Sequence, residues 1–481
     1  LVEKHIGKRR IFVTNHSPMR VYYYSRNLLY CSGKYPEKVG MGFVITDLLK
    51  KFIKILLYES DRGDKLKSMF KGIRDGIDMK SMRRIDMILY ITIFLLAVLA
   101  AWSFYRYRDI ISPPMVLLIP WVISLLLLDF SDLDHDGGSM VYLLFIAGAV
   151  LFSIGYYIVS RKTDRFECYE KTTPPVLEVR HRMFLVVVVA EILLTAASLC
   201  FIASLAEVDS IKNAYEIIKD VRFNKAGLLG DLMLYFYTFE VAFTIFTVYV
   251  FMNSGSFPLR RTVFVLQFVL GLSGAALALG RTTLLLFVVA TITVSIVSKG
   301  VKNGKIARNV MIAAALFIIF FVLYNFYKYT GFNFGEEERK GVVRLTMMYS
   351  SGSPAAFQHW FATEHELLYG RNILRFVFAV LQAVGFNVEP RSLLNDFVLL
   401  APGITVNTYT FYHFYAMDFG IAFALLLQFP VGMLHGFLYN KAVRLKPLWI
   451  YFFALSLYPL LMQFFQDQYV SLTSAWIQYI F

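Results

Sequence analysis

The chain has 481 residues, 57% hydrophobic and 17% aromatic, with only 17% charged and a mean hydropathy of +0.57. A soluble domain carries about a quarter charged residues. The balance here, gathered into long apolar runs, excludes a soluble enzyme, a disordered chain and a disulfide-rich secreted domain, and leaves an all-α polytopic membrane protein. The formal charge of +14 is uneven: residues 1–84 hold 19 of the 48 Lys/Arg against 8 of the 34 Asp/Glu. A basic tail therefore precedes a nearly neutral body, which suits an anionic membrane surface better than nucleic acid.

In the tail, Ile45, Leu48, Leu49, Phe52, Ile53 and Leu56 recur at helical spacing, with Lys50, Lys51 and Lys54 on another face. That pattern predicts a basic amphipathic helix for a membrane surface. Met79 and Met82, just before Arg83 and Arg84, would be natural starts for a membrane protein. Cys31, Cys168 and Cys200 fall in the tail, a polar loop and an apolar run, and their spacing supports neither a disulfide nor a zinc site.

Apolar runs follow at about 87–104, 112–128, 139–160, 183–205, 232–252, 262–279, 282–298, 308–327, 418–439, 447–465 and 468–481. Most meet the roughly 20 residues a spanning helix needs, and lipid leaves the backbone no alternative to helix. About 10–12 transmembrane helices are predicted, with the last run short and polar. Loops 161–182, 253–261, 299–308 and 440–446 are rich in Lys and Arg and are assigned to the cytoplasm. The acidic loop 129–137, with Asp129, Asp132, Asp134 and Asp136, then faces outside, as do residues 206–231 and the long segment from Lys328 to Thr408. This phase also places the start of the first span outside, against the preference of Lys80, Arg83 and Arg84.

The 328–408 segment, about 81 residues, is far longer than an ordinary connection and rich in aromatic and apolar residues. It predicts a folded extracytoplasmic cap. Within it Ile373–Phe386 is apolar but too short to span, so it predicts a helix lying on or dipping into the membrane. The chain accordingly divides into a tail (1–78), transmembrane helices (79–327), an outer loop domain (328–408) and C-terminal helices (409–481).

Candidate groups for chemistry lie mostly on the outer side. Arg281 follows Gly280 in a tight turn between spans, where the positive-inside tendency does not explain it. A planar guanidinium there suits a pyrophosphate, the alternative being an interfacial anchor. Arg339 and Lys340 read as a self-paired surface cluster with Glu336–Glu338. Arg344 is nearer the aromatic Met347–Ser350 stretch and, with Arg371 and Arg391, is a further anion-binding candidate. His359, Glu364, His365 and Glu366 lack a zinc spacing. His413 and Asp418 sit in the strip Asn407–Gly420, dense in aromatics that include Tyr409 and Tyr412, and would supply a general base beside sugar-binding faces. Glu191 and Glu240 are ionisable at membrane depth, read either as functional or as neutral hydrogen-bonded carboxyls. Gly432-x-x-x-Gly436 marks a candidate close helix contact.

Asn407-Thr408-Tyr409-Thr410 with Asp418-Phe419-Gly420, Gly280-Arg281-Thr282 between paired helices, and Tyr349-Ser350-Ser351-Gly352-Ser353 in the long loop make residues 85–481 resemble the Wzy-type oligosaccharide repeat-unit polymerases. That resemblance implies a GT-C-type glycosyltransferase of the bacterial inner membrane. It would move a nascent glycan from undecaprenyl pyrophosphate to the next lipid-linked unit at the outer face, with no metal, nucleotide sugar or other cofactor, beside a partner that sets chain length. Arg281 and Arg344, with Arg391, Tyr409 and Tyr412, would hold the substrate and its pyrophosphate; His413 or Asp418 would be the base. An O-antigen ligase or a lipid-linked oligosaccharide flippase are the alternatives. In the tail, Thr14-Asn15-His16-Ser17, Arg20–Asn27 and Lys71-Gly72-Ile73-Arg74-Asp75-Gly76 resemble the C-terminal end of rhamnosyltransferase-like GT-A enzymes. The nucleotide-binding core and its Asp-x-Asp motif are absent from this piece, which implies a remnant dispensable for polymerisation.

Overall fold

The computed structural model describes residues 2–6, 9–35, 38–78, 84–131, 133–134, 138, 140–160, 180–205, 218, 220–221, 227–253, 260–278, 281–300, 305, 308, 336–391, 395–446, 448–470 and 473–480. Among these, helix dominates. Five helices are long and apolar enough to cross a membrane: 88–107, 140–159, 181–205, 228–253 and 421–443. Four shorter apolar helices, 113–129, 261–277, 282–298 and 449–464, accompany them. Of the expected run 308–327, residues 309–327 lie outside the described residues.

The tail opens with a hairpin of β1 (Val2–Ile6) and β2 (Arg9–Val13), antiparallel with Val2 opposite Val13. Three helices follow, α1 (Pro18–Lys34), α2 (Met41–Tyr58) and α3 (Arg62–Asp78). The α1–α3 contact is close because Gly72 and Gly76 face the carbonyls of Tyr22 and Arg26. The apolar stripe of α2 is rotated from the sequence reading: Val44, Leu48, Phe52 and Ile55 are the buried side chains, while Ile53 is exposed. Much of the face expected to meet a membrane is instead covered by α1, α3 and the first long helix of the bundle, with Phe52 and Phe70 packed edge-on against Phe94. Buried Glu59 gathers Lys65 (3.1 Å), Lys51 (3.3 Å) and Lys54 (3.6 Å).

The bundle comprises α4 (Arg84–Tyr107), α5 (Pro113–Asp129), α6 (Met140–Val159), α7 (His181–Leu205), α8 (Leu228–Asn253), α9 (Arg260–Leu277) and α10 (Arg281–Ser298). Their ends sort into two groups. At one end Tyr90 donates to Asp129 (2.7 Å) and the Asp134 N–H reaches the Leu400 carbonyl (2.7 Å). At the other, Tyr107 meets Ser160 (2.9 Å), Tyr439 donates to Asp109 (2.8 Å) and Asn253 to Ser298 (3.0 Å). The basic loops attach at this second end and the acidic loop at the first. Helix α4 begins at the acidic-loop end, where the loop phase puts it.

The rest of the chain is α11 (Glu336–Phe361), α12 (Arg375–Ala383), the hairpin β3 (Val398–Ala401)–β4 (Ile404–Val406), α13 (Tyr412–Phe419), α14 (Ile421–Leu426), α15 (Gln428–Val443), α16 (Trp449–Leu461) and α17 (Thr473–Ile480). The expected run 418–439 is thus preceded by a separate short helix, set off by Gly420 at φ 84°. Gly432 and Gly436 face the carbonyls of Phe152 and Tyr156 across α6, and Gly155 faces that of Phe429. Missing side chains let α6 and α15 touch backbone to backbone, the contact that apolar solvent favours.

Candidate functional site

The acidic-loop end holds most of the candidate side chains, and it is assembled around α13. The second half of α11 carries Ser351, Ser353, Ala355 and Ala356, all buried, and these small residues allow close approach to neighbours. Ser353 meets Thr408 (2.8 Å), and Ser124 of α5 donates to the Ser350 carbonyl (2.6 Å). The motif Tyr349–Ser353 is therefore a packing joint between α5 and the strand-bearing segment.

Beyond α11 the chain folds back along α13. The Leu368 and Tyr369 N–H groups donate to the carbonyls of Met417 and Asp418 (2.9 and 3.1 Å). Asp418, fully buried, collects the Asn372 N–H (3.1 Å to each oxygen), the Asn372 side-chain amide (2.9 Å) and the Ile373 N–H (2.8 Å). Three donors on one carboxylate fix the entry to α12. With its lone pairs so engaged, Asp418 holds the loop in place rather than facing an open site.

His413 sits one turn earlier. Its ring stacks on Tyr409 (centroids 4.0 Å apart, 10°) and meets Trp360 edge-on at 5.0 Å, while Trp360 stacks on His365 at 4.5 Å. His413 is 4% exposed and its Nδ1 has no partner. Burial, then the nearby Arg391 and His365, depress its pKa to about 3, so the imidazole is neutral at ordinary pH and its Nδ1 is a free acceptor or donor according to tautomer. Tyr409 donates to the Asp396 carbonyl (3.0 Å), and burial with Asp396 pushes its phenol up to about 12. Tyr412 points the other way. Packed among Trp121, Phe145 and Phe357 with its hydroxyl over Gly148, it is a core residue.

On the side of α13 facing α12 lies a cavity of about 340 Å³, lined by Tyr235, Asn372, Arg375, Tyr415, Asp467 and Thr473 among others. Arg375 lends the cavity a cation; its Nε donates to the Arg391 carbonyl (2.5 Å) and burial lowers its pKa. Opposite, Asp467 accepts from the Tyr415 hydroxyl (3.0 Å) and from the N–H groups of Tyr469 (3.2 Å) and Val470 (3.1 Å). One guanidinium, one carboxylate and several hydroxyls against apolar walls give the cavity a mixed lining that can accept a polar group.

The structure thus brings His413, Tyr409 and Arg391 together and sets Asp418 behind them as an anchor. Arg281 opens α10; the next residue, Thr282, lies within hydrogen-bonding reach of Tyr458, which itself donates to Gln468 (3.2 Å). The Arg281 and Arg344 side chains lie outside the described residues, as do those of Arg339 and Lys340; Arg344 belongs to α11. Arg371 is exposed, and His359 lies 3.5 Å from Asp134. Among the described residues no three His, Cys, Asp or Glu side chains converge as metal ligands would. Sequence reasoning missed Arg375, Tyr415 and Asp467. Arg375 interrupts the apolar stretch 373–386, and Gln466 and Asp467 fall between the runs 447–465 and 468–481, where adjacent polar residues are themselves a signal. No family model matches the chain, and neither does a curated protein or a solved structure.

Proposed function

We propose that the chain is a GT-C-type oligosaccharide repeat-unit polymerase of the bacterial inner membrane, working at the acidic-loop end of the bundle on undecaprenyl-pyrophosphate-linked glycans. The observation that carries this reading is the polar cavity holding Arg375 and Asp467, whose wall residues Phe414 and Tyr415 follow His413 on α13. The Lys/Arg bias of the opposite loops supports an orientation with that end outside the cytoplasm, where this reaction would join lipid-linked repeat units. No α12 side chain is buried, and Val377 and Val380 are exposed, which suits a helix resting at the bilayer interface over the cavity.

In this mechanism Arg375 and Arg391, with Arg281 and Arg344 from neighbouring elements, hold the donor pyrophosphate and stabilise its growing charge. The acceptor hydroxyl attacks the anomeric carbon, the bond from that carbon to the pyrophosphate oxygen breaks, and His413 Nδ1 takes the hydroxyl proton. Undecaprenyl pyrophosphate leaves as the anion. Tyr409 orients the imidazole by stacking, and Asp418 positions the loop that carries Arg375. Neither a metal nor a nucleotide sugar enters this scheme.

The test is a surface-glycan gel from a host with the gene deleted, restored, and restored as Arg375→Ala or Arg281→Ala. Collapse of the ladder to one repeat on deletion, with rescue by the intact gene only, is expected. Loss of glycan on the lipid A core while free polymer persists would indicate a ligase instead, and an untouched ladder would reject both.

A further inference from the structure

A second buried polar cluster lies half-way along the bundle, where α7, α8 and α9 meet. Glu191, Glu240 and Gln267 are 1%, 0% and 0% exposed. The Gln267 amide nitrogen donates to Glu191 Oε2 (2.6 Å) and to the Thr244 hydroxyl (3.1 Å). The Thr195 hydroxyl meets both the Glu191 carbonyl (2.8 Å) and Glu240 Oε1. Three oxygens are left without partners: Glu191 Oε1, Glu240 Oε2 and Gln267 Oε1. Glu240 Oε2 lies over Gly274, where a side chain would displace it.

Two carboxyls within electrostatic reach of each other, in the driest part of the molecule, cannot both be charged without a cation. None faces them. The other charged side chains described on these helices, Arg182 and Arg261, and the titratable His181, sit at the basic-loop end. Helices α10, α16 and α17, which also pack on α8, contribute tyrosines and no described charge; Tyr237 of α8 is committed to Ser198 (3.0 Å). The pattern of partnerless atoms is itself informative. Glu191 Oε1 and Gln267 Oε1 flank an existing N–H to Oε2 bond, so a single proton on Oε1, donated to the amide oxygen, closes an acid–amide ring and satisfies both orphans.

We propose that Glu191, Gln267 and Glu240 form an intramembrane proton-binding site, with a proton seated between Glu191 Oε1 and Gln267 Oε1 at neutral pH. Binding is simple addition of H⁺ to a carboxylate. The hydroxyls of Thr195, Ser198 and Tyr237 continue the polar row toward the acidic-loop end, so the site is placed to exchange with that side. This does not depend on the polymerase reading.

The experiment is infrared spectroscopy of the full-length protein in lipid nanodiscs at pH 7, free of sodium. The wild type is expected to show the carbonyl band of a protonated carboxylic acid, shifting in heavy water. Glu191→Gln should remove that band while keeping the unfolding temperature, because an amide in that place rebuilds the same ring. Absence of the band in the wild type, its survival in the Glu191→Gln/Glu240→Gln double variant, or its displacement by added sodium would each overturn the proposal. Should Glu191→Gln misfold, carbodiimide labelling of the wild type decides: modification of Glu191 that declines as pH rises supports it, and no modification at any pH overturns it.

Discussion

Asp418 and Glu191 are equally buried carboxyl groups on helices, yet their surroundings differ in kind. Asp418 meets two backbone N–H groups and an amide at the edge of the bundle, while Glu191 meets one amide in its middle and leaves an oxygen unpaired. Near a helix end, turns and loops have backbone donors to spare, so a carboxylate can be paired fully and used as a fixing point. Mid-helix, every N–H is spent on its own ladder and only side chains remain. Burial alone therefore says little about a carboxyl's role; the supply of donors does.

The contrast is broken first at Asp418. Asp418→Ala leaves three donors stranded and should cost about 3 kcal/mol or more, seen as a large drop in unfolding temperature and reduced membrane levels. Glu191→Gln, by comparison, strands no partner and should lower the unfolding temperature far less than Asp418→Ala; an equal loss at both sites would erase the distinction. Arg375→Ala should leave the protein at normal levels while reducing polymer formation about 100-fold, the scale of losing one charged transition-state donor. Gly432→Ala, whose new methyl meets the Phe152 carbonyl, should cost about 1–3 kcal/mol by pushing α15 off α6, read in thermal unfolding. A further effect concerns pH. His413 has its folded pKa depressed to about 3 from 6.5, so only the unfolded chain takes up this proton between those values. Stability should fall as pH drops below about 6.5, by at most about 1.4 kcal/mol per unit. Comparing unfolding at pH 7 and 5 for the wild type and His413→Gln checks it, the variant losing that part of the slope.

The long apolar helices were legible because a period-free apolar run of some 20 residues has one solution in lipid. Their partners were less so. Tyr409, Tyr412 and His413 share one strip of sequence, but helical spacing alone does not say which face of α13 turns to the core, and Tyr412 went there. The phase of α2 was similarly misread, since Ile53 and Phe52 are both apolar and only the positions of α1 and α3 decide which is covered. Arg375 and Asp467 were hidden because they come from segments nearly a hundred residues apart that meet only after α12 folds over α13. The Glu191–Gln267 pair joins helices 76 residues apart; its carboxyl was visible in the sequence and its amide partner was not.

The most direct measurement uses purified protein in liposomes, supplied with a single lipid-linked repeat unit and neither nucleotide sugar nor divalent metal. Growth of a ladder of lipid-linked oligomers, lost in Arg375→Ala and sharply slowed in His413→Gln, is the predicted result. A substrate that is never elongated, or one that crosses the bilayer unchanged, would contradict the account.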